Sequence, residues 1–286
     1  MSQRFLPVTI TAGVLFAATL AAGSAVARQD LAMAGPRQSQ RGGGQAPAFR
    51  APRTGDGKPN LNGIWQALNT AHWNVEAHSA APGPITVLGA SYAVPGGLGV
   101  VEGDIPYRAE ALAKKKENYA NRMKLDPEIK CYLPGVPRAT YMPYPFQILQ
   151  SQKHVMIVHE FAGAVRTIYM DTHVEAPADS WMGWSNGRWE GETLVVDTKG
   201  FNGQTWLDRA GNFHSDALHV IERFTARSPD TLWYEVTLDD PKVFTRPWKM
   251  SMPLYRRVEK NAQLMEYRCV EFAEDVIYGH LRKQSK

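Results

Sequence analysis

The chain has 286 residues, 44% of them hydrophobic and 21% charged, with a formal net charge of +4. No repeat of fixed period is visible, which argues for one folded domain and against a propeller or solenoid. The positive excess belongs to the N-terminal part: Arg4 and the cations Arg28, Arg37, Arg41, Arg50, Arg53 and Lys58 outweigh Asp30 and Asp56, so residues 61–286 carry about one net negative charge and offer no basic face to nucleic acid.

Arg4 gives a short positive start, residues 8–22 are apolar and uncharged, and Ala25-Val26-Ala27 sets small residues at −3 and −1. This pattern predicts a Sec-type signal peptide over residues 1–27, cleaved after Ala27, and a periplasmic or secreted product. Thr9, Thr11, Gly13, Thr19, Gly23 and Ser24 dilute the run below what a membrane anchor needs, and no later stretch is long enough to span a bilayer. Neither a twin arginine nor a lipid-accepting cysteine is present at the expected places.

Residues 28–60 read as a disordered linker rich in Gly, Pro, Gln and Arg, with too few large apolar side chains to offset ordering entropy. Residues 61–286 are then a single β-rich domain. Its first part, to about residue 105, reads as long loops with one short strand at Gly63-Ile64-Trp65. One surface helix is expected near 107–124, where Ala, Glu, Lys and Arg dominate and Asp126-Pro127 stops it. Ala109, Leu112, Ala113, Tyr119 and Met123 form the narrow stripe by which it would lie on the domain.

After Cys131, β-branched and aromatic runs alternate with turn signals. Strands are predicted at 155–161, 165–171, 193–198, 217–227, 232–238, 244–252 and 264–272. Phe161-Ala162-Gly163-Ala164 reads as a hairpin tip, Asn186-Gly187 and Glu190-Gly191-Glu192 as turns bracketing a strand, and Ser228-Pro229-Asp230 as the close of a pair. With no helices between them the strands should pair antiparallel, in a lipocalin-like barrel or a sandwich. The two cysteines, Cys131 and Cys269, form an even pair, which in an exported chain predicts a disulfide.

Several segments resemble one family: Asp126-Pro127-Glu128-Ile129-Lys130-Cys131 through Pro137-Arg138, then Arg166-Thr167-Ile168-Tyr169-Met170-Asp171, then Gly187-Arg188-Trp189-Glu190-Gly191-Glu192-Thr193-Leu194-Val195-Val196-Asp197-Thr198. Trp206-Leu207-Asp208, His214-Ser215-Asp216-Ala217-Leu218-His219-Val220, Asp239-Asp240-Pro241 and Thr245-Arg246-Pro247-Trp248 add to it. With the opening stretch from Gly57 to Trp65, the chain is similar to an uncharacterised group of secreted proteins from proteobacteria and acidobacteria. The resemblance covers nearly all of 57–272 and implies export and a β architecture, but no reaction.

The densest polar cluster, His214-Ser215-Asp216-Ala217-Leu218-His219, invites a metal reading. If it lies on a strand, alternation turns His219 away from His214 and Asp216, so no metal is expected and Ser215 or Asp216 should bond the backbone instead. On the strand that follows, Leu218, Val220, Glu222 and Phe224 share a face. If that face is interior, Glu222 is either an acid or base with a raised pKa or the partner of an inward arginine, Arg166 or Arg188. Tyr234 joins the same wall.

Eight tryptophans, Trp189 and Trp206 among them, suit a pocket for an apolar or aromatic small molecule inside the barrel, or simply fill its ends. No phosphate loop, dinucleotide fingerprint or serine-hydrolase elbow is present, so no cofactor is expected. The leading expectation is an exported small-molecule-binding barrel that uses Arg166, Arg188, Tyr234, Trp189 and Trp206. The alternatives are a cofactor-independent lyase, isomerase or hydrolase with Glu222 as acid or base assisted by His214 or His219, and an envelope structural or interaction protein.

Overall fold

The computed structural model describes residues 49–83, 93–278 and 280. The expected signal peptide and the linker as far as residue 48 lie outside the described residues. Residues 49–60, read from sequence as linker, are built into the domain: Ala51 and Pro59 are buried, Arg53 bridges Pro59, and the N–H of Asn60 donates to the carbonyl of Pro52 at 2.7 Å. Gln150 fastens this stretch by donating from Nε2 to the carbonyl of Pro59 at 3.0 Å.

The domain is a closed barrel of nine strands in which each strand pairs with the next in sequence and β9 returns to β1. The strands are β1 (Gly63–Ala67), β2 (Phe146–Gln150), β3 (His154–His159), β4 (Val165–Met170), β5 (Trp184–Glu190), β6 (Thr193–Lys199), β7 (His219–Ser228), β8 (Thr231–Asp239) and β9 (Trp248–Arg256). The sandwich alternative is thereby removed. Closure leaves no edge strand open to another chain.

Alternation decides what faces inward. On β7, Val220, Glu222, Phe224 and Ala226 are buried; on β8, Leu232, Tyr234, Val236 and Leu238; on β9, Trp248, Met250, Met252 and Leu254. The register sets Glu222 opposite Val236 and Phe224 opposite Tyr234. At about 1.5–3 kcal/mol for each large side chain taken fully out of water, this inner face is the main source of stability.

Four details depart from the sequence reading. The strands are not all antiparallel, because β4 and β5 run parallel, and the loop between them has the dozen or so residues that a parallel crossover needs. Asn186-Gly187 is not a turn but the middle of β5, where a Cβ on Gly187 would come within 2.6 Å of Ile168 and Met170. β2 arises where no strand was expected. The expected strand at 264–272 pairs with no strand among the described residues: it is a strap that ends in a short helix, Ala273–Tyr278.

The strap is held by the disulfide Cys131–Cys269, whose Cα atoms are 5.6 Å apart, and by Phe272 N–H donating to the carbonyl of Ile129 at 2.9 Å. Two helices replace the single one expected near 107–124: α1 (Ala109–Ala120) and α2 (Arg122–Leu125). A 3-10 turn over Pro127–Lys130 follows, and a short helix α3 (Arg138–Tyr141) leads into β2. Among the described residues no helix is long and apolar enough to cross a membrane.

Candidate functional site

Glu222, Arg166 and Tyr234 meet inside the barrel. Arg166 Nη2 pairs with Glu222 Oε2 and also donates to Thr198 Oγ1 at 2.7 Å, while its Nε donates to Ser185 Oγ at 2.8 Å. Tyr234 donates to Glu222 Oε1 at 2.9 Å, so both carboxylate oxygens are engaged. The group is sealed, with Glu222 at 0% and Arg166 at 3% exposure. His159 on β3 adds a neutral imidazole nearby: burial, and then the charge of Arg166, pushes its pKa down to about 3.

The remaining residues singled out from sequence do not join this group. Arg188 lies on the outer face, paired with Glu190 at 2.7 Å, so Arg166 rather than Arg188 is the partner of Glu222. His214 is buried in the loop before β7, where its Nδ1 is 2.8 Å from the carbonyl of Ser215 and its Nε2 contacts Thr205. His219 faces outward and bonds Asp197 at 2.8 Å. Trp206 is buried and bridges Phe213, and Trp189 packs at the core's margin.

Residues 214–218 are loop rather than strand, so alternation does not govern them. The three metal-type side chains diverge for another reason: Ser215 Oγ accepts from Ala217 N–H at 3.1 Å and turns the chain, leaving Asp216 exposed to Lys242 at 2.6 Å. Among the described residues no group of three such side chains is placed to hold a metal ion.

Large buried side chains occupy the lumen. Trp65, Phe146, Phe224, Tyr234 and Trp248 are among them, with Phe224 and Tyr234 ring centroids 4.9 Å apart. A cavity of about 360 Å³ opens beside α1.

One wall of that cavity is a helical face. Leu112, Lys115, Lys116, Tyr119, Arg122 and Met123 recur at three- and four-residue spacing along α1 and α2 and line it together. Contrary to the sequence reading, this stripe does not dock on the domain. Ala111 and Asn118 do, with Asn118 Nδ2 donating to the carbonyl of Gly211 at 3.3 Å. The facing walls come from Trp73, from Asp126 and Ile129 at the 3-10 turn, and from Arg209.

A buried charge network holds these pieces in place. Arg138 donates to Asp126 Oδ1 at 2.9 Å and to Glu128 Oε2 at 2.7 Å, and Arg209 grips Glu128 with Nε at 2.8 Å and Nη2 at 2.7 Å. Burial acts to raise the Glu128 carboxyl, but His72, Arg209 and Arg138 outweigh it and hold it well below the usual carboxylate range. Two cations and two anions balance, as a buried network requires.

Asp208 ties the loops. It accepts from the N–H groups of Val75 (2.9 Å), Ala210 (2.9 Å) and Asn212 (3.1 Å) and from Asn212 Nδ2 (2.6 Å), and burial still pushes its pKa up to about 6. Next to it, Arg209 lays its guanidinium 4.3 Å from the centroid of Trp73.

No protein-family model matches this chain, and a search of curated proteins finds no similar sequence. The sequence reading missed Trp73, Arg209 and the cavity role of the helix stripe. Two signals for them existed: Asp126, Glu128 and Arg138 stand together in one motif run, and Lys115, Lys116 and Arg122 flank the apolar stripe of the helix.

Proposed function

We propose that the chain is an exported small-molecule-binding barrel protein whose ligand, apolar or aromatic in its main body, sits in the cavity between α1 and the loops around Trp73 and Arg209. The observation that carries this reading is the cavity itself. At about 360 Å³ it falls in the range of small-ligand sites, and aromatic and aliphatic side chains share its walls with a few polar groups fixed by the buried network. Export is supported by the leader-like N-terminus and by the disulfide, which persists in oxidising compartments.

Binding of the neutral fluorophore N-phenyl-1-naphthylamine tests the cavity. It should brighten with the wild type and not with Leu112→Trp, whose indole fills the space. Equal brightening with both proteins would place the dye elsewhere and remove the proposal. N-terminal sequencing of the exported chain should begin at Arg28.

The catalytic alternative built on Glu222 lacks support. Its carboxylate has no solvent contact, an arginine neutralises it, and a phenol occupies its second oxygen. A general acid or base must reach the proton it moves.

A further inference from the structure

Building on the proposed ligand cavity, we infer that its occupant is an anion: a flat aromatic or apolar body carrying one carboxylate or sulfonate group, seated with its charge toward Lys116 and Arg122. The α1–α2 face supplies three cations to the cavity, Lys115, Lys116 and Arg122, and Arg209 adds a fourth from the opposite side. Their partners are unevenly distributed. Arg209 is held by Glu128, and Lys115 bonds Glu76 at 2.6 Å. Asp126, the one carboxylate in the lining, is taken by Arg138 at 2.9 Å. Lys116 and Arg122 have no carboxylate within ion-pair distance among the described residues, which leaves the cavity with a surplus of positive charge.

The apolar bed and the cations are interleaved rather than segregated. The Arg122 guanidinium lies 4.3 Å from the centroid of Tyr119, and that of Arg209 the same 4.3 Å from Trp73. Both guanidiniums cover a ring with one face, but the edge of Arg209 is taken by Glu128, whereas Arg122 spends only Nη1, on the carbonyl of Tyr119 at 2.9 Å, and its other donors meet no carboxylate among the described residues. Leu112, Met123 and Ile129 complete an apolar surface between them. A neutral apolar ligand would use this bed but gain nothing from Lys116 and Arg122. A small inorganic anion would use the cations but leave the bed wet. An aromatic anion uses both.

Two fluorophores that share one ring system separate the possibilities: 8-anilino-1-naphthalenesulfonate, an anion, and the neutral N-phenyl-1-naphthylamine, each titrated into the purified protein in low salt. The anion should bind roughly tenfold more tightly, and salt should erode that advantage as it screens the exposed cations. Lys116→Gln/Arg122→Gln should lose roughly tenfold in affinity for the anion, about a factor of three to five per exposed cation, and change the affinity of the neutral dye far less, by whatever the lost packing on the cavity wall contributes to both dyes alike. Both positions have side chains partly in solvent, so the variant should fold.

If the neutral dye binds as tightly as the anion, or if the double variant binds the anion like the wild type, the anion inference is overturned while the cavity reading stands. If both dyes bind Leu112→Trp as they bind the wild type, the cavity reading falls and the anion inference falls with it.

Discussion

Arg166 on β4 and Glu222 on β7 form an ion pair in the middle of the barrel, with β5 and β6 between their strands. Removing one partner of such a pair leaves a buried charge unanswered, which costs about 3–5 kcal/mol. Glu222→Gln should therefore lower the melting temperature by roughly 10 °C, at the 2–4 °C per kcal/mol usual for a domain of this size. Adding Arg166→Met should recover much of the loss, because the second charge goes too. A Glu222→Gln melt that matches the wild type would mean that the carboxylate is not paired as described.

The same pair shows what could be read in the sequence and what could not. Period-two alternation on β7 and β8 placed Glu222 and Tyr234 inward with Val220, Phe224 and Val236, because a strand buried on one face leaves no other register. Choosing between Arg166 and Arg188 needed the faces of β4 and β5. There the sequence misled, since Asn186-Gly187 has the composition of a turn while Gly187 is present for close contact with Ile168 and Met170. The cavity was less legible still. It depends on which face of α1 docks, and Ala111 and Asn118 dock because Gly211 lets the backbone approach, a long-range contact that the helix's own periodicity does not encode.

His159 should make the fold acid-sensitive. Both of its ring nitrogens lack a hydrogen bond of good geometry, and its pKa is about 3 in the fold against 6.5 in the unfolded chain. Below pH 6.5 the unfolded chain takes up a proton that the folded chain refuses, so this group's contribution is intact at neutral pH and is lost as pH falls from 6.5 toward 3. Between pH 7 and pH 5 the loss is about 2 kcal/mol. Asp208 works in the opposite direction, its raised pKa favouring the fold as pH falls from about 6, so the measurement must be a difference. Denaturant unfolding of wild type and His159→Phe at pH 5 and 7 should show the variant gaining about 2 kcal/mol on the wild type at the lower pH. Parallel pH curves would rule out a buried neutral imidazole.

The disulfide closes a loop with a sequence separation of 138 residues. In the chain-entropy model that is worth about 4–5 kcal/mol, drawn from the unfolded state. Cys269→Ser should fall short of the wild type by an amount of this order in denaturant unfolding. Without prior reduction, neither thiol of the native protein should be alkylated. Full alkylation of Cys131 and Cys269 in the unreduced protein would exclude the bridge.

Gly211 is the contact on which the cavity wall depends. Its φ is +82°, and a Cβ there would lie 2.7 Å from the amide nitrogen of Tyr119 and 2.8 Å from the carbonyl oxygen of Lys115, backbone atoms that cannot turn aside. Gly211→Ala therefore incurs about 1–2 kcal/mol for the left-handed conformation and must also push α1 outward. No barrel strand pairs with α1, so the strand pairing should survive its displacement. The expected result is a melting temperature a few degrees lower, an unchanged far-ultraviolet β signature, and clearly weaker binding of N-phenyl-1-naphthylamine, because Leu112, Tyr119 and Met123 have moved away from Trp73. If stability drops while dye affinity holds, α1 is not a wall of the binding site. If neither changes, the helix does not rest on Gly211 at all.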